Sequence, residues 1–330
     1  MMKAANLVAL PHQHLAAQRR WQPLETAFWA ATLLPFWLAP THLVLASQIA
    51  ITALFALSLD LILGYAGLIS LGHAAFFGSG AYCAGLIARA GWGEPLSGLL
   101  VATAVAAVFG YASSFIIVRV NHLALIMVTL GLGLMLYEAA NRAGWLTGGD
   151  DGLQGVSIWP ILGRFDFDLY GYSAYGYSLA VLFVSFLFAR RVINSPFGLS
   201  LRAIRENRAR MPALGAPIRA RLRTVYTIAA ALAGTAGALS AQTTQFVALE
   251  TLSFQRSAEL LVMLVLGGAG RLYGGLAGAI IFMVARDQLA DLNPQYWYFW
   301  LGLMLIVVVS FLPNGILGGL AALLGERGRQ

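Results

Sequence analysis

Long apolar stretches, separated by short polar segments, run along almost the whole chain. A helix needs about 20 residues to cross the hydrocarbon core of a bilayer. Ten stretches are candidates: residues 26–41, 43–63, 68–90, 96–118, 121–141, 174–192, 221–243, 252–268, 272–290 and 296–313, of which the first is short and the third is either continuous or partly broken. Barrel strands alternate apolar with polar residues, whereas these stretches are continuously apolar. The pattern predicts an all-α, polytopic bundle of about ten transmembrane segments in a lipid bilayer.

The composition agrees with a membrane location. Of 330 residues, 59% are hydrophobic and only 11% are charged, whereas a soluble domain carries roughly 25% charged residues. The charge is too sparse to cover a soluble surface of this size. The net charge of +7 is explained by basic loops on the cytoplasmic side, so no nucleic-acid partner is expected. Cys83 is the only cysteine, which excludes an internal disulfide.

The charges of two loops predict the orientation. The stretch 195–223 contains one acid, Glu206, and seven arginines: Arg202, Arg205, Arg208, Arg210, Arg219, Arg221 and Arg223. It is assigned to the cytoplasm, because basic residues accumulate in cytoplasmic loops. The 143–173 loop contains one base, Arg164, and four acids, Asp150, Asp151, Asp166 and Asp168, and is assigned to the outside. With ten spans, both termini lie in the cytoplasm.

This orientation divides the chain into three parts. Residues 1–25 form a cytoplasmic tail, residues 26–320 the transmembrane domain, and residues 321–330 a second cytoplasmic tail. The domain contains the external loop 143–173 and the cytoplasmic loop 194–220, called here the Arg-rich loop. Arg19 and Arg20 before a short apolar stretch also fit a cleaved signal peptide. Retention is favoured, because the basic region would be unusually long.

Small residues recur at a spacing of four in three places. If 64–82 forms one helix, Ala66, Ser70, Ala74 and Gly78 share a row, and Gly67 lies on the adjacent row. A second row is Ala230, Gly234 and Ala238, and a third is Gly270, Gly274 and Gly278. Such rows let helix backbones approach closely in lipid. Close packing is the favoured interpretation, and a sliding or opening contact is the functional alternative.

A few ionisable residues lie in or near the apolar stretches. His73 is expected to form an interhelical hydrogen bond rather than to bind a ligand, although polar groups at membrane depth also mark pathways. The spacings of Arg256 with Glu259 and of Glu138 with Arg142 predict pairs on one helix face. Asp60 has no partner nearby in the sequence.

No motif for catalysis, metal binding or nucleotide binding is present. The glycine-rich stretches 147–152 and 267–270 lack the Lys-Ser/Thr of a phosphate loop. HExxH and CxxC are also absent. We therefore expect no catalytic residue, no metal ligand and no cofactor in this chain.

Several sequence blocks resemble one family. GYAGLISLGHAAFFGSGAY (64–82) is similar to the signature of LivM-type permease subunits of branched-chain amino-acid ABC importers. Further blocks agree in the same order: Arg119 with Val128, Thr129 and Leu130, LTGGDDGL (146–153), SPFGLSLRAIREN (195–207) with ALG (213–215), AGTAGAL (233–239), LGGAGRLYGGLAGA (266–279) and FLPNGILG (311–318). The resemblance covers roughly residues 45–320.

The resemblance implies a division of labour in a bacterial inner membrane. This chain and a second, LivH-like permease subunit would form the path, a periplasmic binding protein would deliver the solute, and two cytoplasmic ATPases would drive transport. The Arg-rich loop would couple to an ATPase through Arg202, Arg205, Glu206, Ala213 and Gly215. Path or helix-contact residues would be Gly64, Gly67, Ser70, His73, Ala74, Gly78, Thr129, Gly270, Gly274 and Gly278.

Departures from the family pattern leave the solute open. Arg210, Met211 and Pro212 stand where many relatives have an alanine-rich run, and Pro212 is expected to start or break a helix. Leu249 and Gly275 replace common prolines. Branched-chain or other small amino acids are the first hypothesis, and urea, amides or small carboxylates, aromatic ones among them, are the alternative. A rival from another class is an ion-coupled secondary transporter, which needs a midplane ion site and matched repeats.

Overall fold

The computed structural model describes residues 23–120, 122–168, 170–312 and 315–323. Within these ranges the chain is mainly helical and forms no β-strand, apart from two isolated bridges that join Leu153 to Val247 and Ile161 to Phe165. The all-α prediction is therefore confirmed for the described part of the chain.

Twelve helices are numbered here in chain order. They are α1 (Pro23–Ala31), α2 (Leu43–Asp60), α3 (Ala74–Arg89), α4 (Pro95–Ile117), α5 (His122–Arg142), α6 (Tyr172–Ile193), α7 (Pro196–Glu206), α8 (Ile218–Thr244), α9 (Phe254–Gly267), α10 (Leu272–Leu292), α11 (Trp297–Phe311) and α12 (Gly315–Leu323). Short helical turns at Pro35–Leu38 and Gly144–Thr147 lie between them, with 3₁₀ turns at Pro40–His42, Gly149–Asp151, Met211–Leu214 and Leu249–Leu252.

In the described part of the chain, five helices are long and apolar enough to cross a membrane. They extend over Pro40–Tyr65, Pro95–Ile117, Leu123–Arg142, Tyr172–Ile193 and Ile218–Thr244 and coincide with five predicted spans. The pair α9 and α10 would add a sixth if the two are one span, but they are bent by 113° at the break between them. The other predicted spans correspond to shorter helices, so the count of ten stays a prediction.

The location of the chain ends also stays a prediction. Residues 1–22 and 324–330, which include Arg19, Arg20, Arg327 and Arg329, lie outside the described residues. The first described helix, α1, begins inside the segment that was assigned to the tail. It is attached to α6 by an ion pair of 2.9 Å between Glu25 and Arg190 and by ring contact of Trp29 with Phe186.

The core is built around α2 and α8. Helix α8 packs along α3 and α4, and α2 packs against α6, α8 and α10. Phe55, Phe76, Phe77 and Tyr226 are among the largest fully buried side chains. The small-residue row of α8 lies on one unbroken helix, as predicted. A Cβ on Gly80 of α3 would meet the backbone of Gly234, so these two helices touch backbone to backbone.

The two other predicted rows are interrupted. Helix α2 ends at Asp60 and continues as one wide π turn, Leu61–Tyr65, after which residues 66–73 are not helical. Placing 64–82 on one helix was therefore wrong, and Ala66 and Ser70 share no helical row with Ala74. The backbone explains this, because Gly67 has φ of +71°, in the left-handed region. Gly270 likewise precedes α10, with φ of +84°.

Candidate functional site

Two helix breaks meet in the structure. The first break is residues 61–73, between α2 and α3, and the second is residues 268–271, between α9 and α10. Asp60, at the last turn of α2, joins them, because its Oδ1 accepts a hydrogen bond of 2.6 Å from the backbone N–H of Gly270. Asp60 is buried, and no hydrogen-bond partner of its Oδ2 is found among the described residues. Gly270 is 210 residues from Asp60 along the chain, so the sequence did not reveal it as the partner of Asp60.

Glycine at position 64 allows this meeting. A Cβ added to Gly64 would collide with Asp60 Oδ1 and the backbone nitrogen of Gly270. Close packing continues beside the second break, where a Cβ on Gly274 would meet the carbonyl oxygen of Gly268, and one on Gly278 that of Met263. We call the contact of Gly64, Asp60 and Gly270 the junction.

The Arg-rich loop supplies the helix that touches the junction. Helix α7 begins after Ser195, whose Oγ accepts from Gly198 N, and Pro196 occupies its first turn, where the lack of an N–H costs nothing. Leu201 and Ile204 are buried beneath the helix. The amphipathic pattern therefore places one face of α7 against the bundle.

Two arginines of α7 reach the first break. Arg202 places its guanidinium 5.2 Å from the centre of the Tyr65 ring, within cation–π distance. Arg205 donates from Nη1 to the carbonyl oxygen of Gly64. Its Cγ lies 3.1 Å from the position that a Cβ on Gly67 would take. Both arginines therefore contact the bundle of their own chain, whereas the family resemblance implied that they would couple to an ATPase.

Much of the Arg-rich loop after α7 is exposed, although Met211 is buried. Helix α7 ends at Glu206, and Pro212 lies in the first turn of the 3₁₀ segment Met211–Leu214, as its helix-breaking nature predicts. Glu206, Ala213 and Gly215 are exposed, and Leu214 keeps 77% of its surface accessible. Gly215 has φ of +74° and no other atom within 4 Å of a Cβ built on it. This exposed set is called here the loop tip.

The non-helical part of the first break is held by neighbouring helices. Thr129 Oγ1 accepts from Leu71 N at 3.2 Å, and Ser257 Oγ accepts from Ala74 N at 2.9 Å. A Cβ on Gly72 would collide with the carbonyl oxygen of Thr129. Helices α5 and α9 therefore support the segment through hydrogen bonds to its backbone.

His73 ends the first break in a buried position. Its Nε2 is 2.8 Å from Ser58 Oγ of α2, and its ring stacks on Phe55 with centroids 5.6 Å apart. This matches the interhelical hydrogen bond that we expected. Ser70 is also buried, and neither its Oγ nor His73 Nδ1 finds a hydrogen-bond partner within the described ranges. Gly78, further along α3, packs its backbone against the Leu252 side chain.

The remaining ionisable pairs follow the sequence spacing. Arg142 and Glu138 approach to 2.6 Å on an exposed surface, and Arg256 and Glu259 to 3.6 Å. Among the described residues, no group of three His, Cys, Asp or Glu side chains is placed to hold a metal ion. These pairs neutralise charge locally and give no ion site at the junction.

Two cavities lie away from the junction. An apolar one of about 260 Å³ is lined by residues of α1, α2, α6 and α10, among them Trp29, Ile49, Leu179 and Leu276. A more polar one of about 330 Å³ is lined by the start of α2, the end of α8 and the start of α6, with Gln48, Asp168, Thr244 and Gln245.

Comparisons with known proteins identify related sequences. The family described as branched-chain amino acid transport system / permease component matches residues 42–309. The high-affinity branched-chain amino acid transport system permease protein LivM of Salmonella typhimurium is 29% identical over 310 residues, which cover 86% of this chain and 71% of that protein. LivM of Escherichia coli is 28% identical over 309 residues, with the same coverage of both chains.

A more distant relative matches about half of each chain. The probable branched-chain amino acid transport permease protein LivM of Methanocaldococcus jannaschii is 28% identical over 182 residues, which cover 50% of this chain and 52% of that protein. No solved structure matches this chain at a significant level.

Proposed function

Since the chain belongs to the branched-chain amino acid transport permease family, we propose that it is the transmembrane permease subunit of an ABC importer. In this role it forms half of a solute path through the bacterial inner membrane and couples that path to cytoplasmic ATPases. Its partners are a second, LivH-like permease subunit, two ATPase subunits and a periplasmic substrate-binding protein. The chain itself carries out no chemical reaction, and the partner ATPases hydrolyse ATP.

The observation that carries this proposal is the position of α7. It lies in the Arg-rich loop, which the charge pattern assigns to the cytoplasm, and its inner face contacts the first helix break. The loop tip beside it, with Glu206, Ala213 and Gly215, is exposed and without contacts around Gly215. Helix α7 contacts the bundle on one side, and the loop tip beside it is exposed. This arrangement suits the transmission of movement from an ATPase to the membrane domain.

Residues in and beside the two breaks are proposed to border the solute path or its moving contacts. They are Gly64, Gly67, Ser70, His73, Ala74, Gly78, Thr129, Gly270, Gly274 and Gly278. Interrupted helices at membrane depth expose backbone groups that can hydrogen-bond a polar solute, which intact helices cannot do.

Branched-chain or other small amino acids are the proposed solutes, in line with the names of the curated relatives. Urea, amides and small carboxylates, aromatic ones among them, remain the alternative, because Gly275 and Leu249 depart from the family pattern. Titration of the partner binding protein with leucine, isoleucine, valine, urea, acetamide and benzoate tests this choice. Binding of a branched-chain amino acid alone supports the first hypothesis, and binding of another class alone replaces it.

Coupling is tested with two matched glycine variants. Gly215 and Gly163 both have positive φ and no contact within 4 Å of an added Cβ, but only Gly215 lies in the Arg-rich loop. In proteoliposomes that contain the complete importer, Gly215→Trp should abolish solute-stimulated ATP hydrolysis and uptake. Gly163→Trp has the same backbone strain and should leave both near the wild-type level.

Two results would contradict the proposal. Equal effects of the two tryptophan variants would show that the loop tip has no coupling role. Uptake by this chain alone, driven by an ion gradient and independent of ATP, would establish the rival secondary transporter.

A further inference from the structure

The junction is held by polar contacts that a simple packing role does not require. A buried carboxylate at membrane depth is costly unless it is paired. Asp60 nevertheless lies in the core with 1% of its surface exposed, and it accepts the N–H of Gly270 at 2.6 Å. That N–H lies at the entrance to α10, where backbone donors lack partners within the helix. Asp60 therefore ties the end of α2 to the start of α10.

Arg205 links the same place to the Arg-rich loop. Its Nη1 donates to the carbonyl oxygen of Gly64, and it is also 2.9 Å from the position that a Cβ on Gly270 would take. One guanidinium on α7 thus bonds to the first break and lies close to Gly270 in the second, the residue whose N–H Asp60 accepts.

The anchoring of α7 does not depend on this arginine. Leu201 and Ile204 already bury the inner face of the helix. Arg202 lies one turn earlier and covers Tyr65, the last residue of the π turn. Two arginines therefore contact the same π turn, Leu61–Tyr65, a conformation that is rare and often found at functional sites.

We propose that Asp60 and Arg205 form a polar latch that joins α7 to both helix breaks and makes their movement depend on α7. When α7 is displaced, Arg205 leaves the carbonyl of Gly64, and the contact of Asp60 with Gly270 loses the guanidinium beside it. The α9–α10 hairpin can then move relative to α2. Asp60 and Arg205 are positioning residues, because they act through the backbone of the two breaks. This inference rests on the proposed ABC permease function.

The latch is tested by measuring solute uptake and ATP hydrolysis together in proteoliposomes that contain the complete importer. Arg205→Ala and Asp60→Asn should each lower the ratio of solute transported to ATP hydrolysed about tenfold, the effect expected for the loss of a charge-assisted hydrogen bond. Asp60→Asn keeps the shape and an acceptor for Gly270 N, so the complex should assemble. The double variant should be no worse than the more affected single variant, because both changes release one latch. Arg205→Lys should recover part of the ratio.

Arg208→Ala is the matched control. Arg208 lies on the same loop and also donates to a backbone carbonyl, that of Val118 at 3.1 Å, away from the junction. Its removal deletes the same charge and should leave the transport ratio within about twofold of wild type, as expected for a contact outside the latch.

The outcomes separate the latch from the function on which it rests. If the wild-type importer shows no ATP-driven uptake, the proposed function fails. If the wild type is active, an unchanged ratio in Arg205→Ala and Asp60→Asn overturns the latch. An equal loss in Arg208→Ala, or losses that follow only the amount of assembled complex, would also overturn it. These results would attribute the lower transport ratio to the charge of the loop or to the stability of the fold.

Discussion

Two regions of the molecule share a small-residue pattern but adopt different backbones. In α8, Ala230, Gly234 and Ala238 lie on one uninterrupted helix. In the segment 64–78, the same spacing is divided among a π turn, a non-helical stretch and the start of α3. In α8 the small residues let helices approach closely, whereas in the first break the glycines also allow conformations that other residues avoid. The same sequence pattern therefore serves packing in one region and backbone geometry in the other.

The difference has a local cause. Around Gly234 the sequence is AAALAGTAGALSA (229–241), in which alanine and leucine, both good helix formers, predominate around the glycines. The first break instead combines Gly64, Gly67 and Gly72 with the polar residues Ser70 and His73. Backbone groups freed there are bonded by side chains of other helices, such as Thr129. In lipid, such partners are required wherever a helix is interrupted.

The largest effect is expected for bulk in the continuous region. A Cβ on Gly234 would collide with Ala106 of α4, so Gly234→Leu should separate α8 from α3 and α4. We expect a loss of at least about 3 kcal/mol of stability, at the upper end for overpacking of a core. Thermal unfolding in detergent, followed by size-exclusion chromatography, measures this change.

Gly131→Leu is the control for that variant. Gly131 is exposed on α5, and a Cβ there has no neighbour within 4 Å. The melting temperature should stay within a few degrees of wild type. If both leucine variants melt alike, the close approach of α8 does not limit stability.

A smaller effect is expected in the first break. Gly67→Ala places a side chain at φ of +71°, which costs about 1–2 kcal/mol. It also crowds Arg205 Cγ at 3.1 Å. The protein should remain folded while ATP-driven uptake falls about tenfold or more, because the contact with α7 is disturbed.

Gly163→Ala separates strain from contact. Gly163 has φ of +68° and no neighbour within 4 Å of an added Cβ. Gly163→Ala therefore introduces the backbone strain without a new side-chain contact. It should lose a similar amount of stability and keep its uptake. Equal uptake in Gly67→Ala and Gly163→Ala would mean that the first break is only a connection between helices.

Much of the architecture could be predicted from the sequence. The lengths of the apolar stretches located the five long helices. The expectation that Pro212 starts or breaks a helix agrees with the 3₁₀ turn at Met211–Leu214. The broken segments could not be predicted from periodicity, because small residues at a spacing of four suit a helix as well as a loop. The bond between Asp60 and Gly270 joins residues 210 positions apart, and no local pattern indicates it. In the sequence, the two breaks share a feature, because glycines precede both α3 and α10.

The smallest effect is expected for His73→Gln. Glutamine can replace the hydrogen bond to Ser58 Oγ, so the cost should be about 1 kcal/mol or less, and uptake should stay within a few-fold of wild type. Uptake by proteoliposomes at several pH values measures this. Loss of uptake with normal assembly would indicate proton chemistry at the first break and favour the ion-coupled alternative.

The central claim is that α7 of the Arg-rich loop rests on the first helix break. A Cβ on Gly67 would lie 3.6 Å from Arg205 Cβ, within the range of about 3.5–4.5 Å for a disulfide.

Gly67→Cys and Arg205→Cys can be combined in a Cys83→Ser background, which removes the only native cysteine. A protease site inserted at 163 divides the chain between the two cysteines, so a disulfide holds the fragments together on a non-reducing gel. Mild oxidation of membranes should join most of the fragments, and the pair Gly67→Cys with Arg210→Cys should leave them separate. Fragments that separate in both pairs would contradict the account.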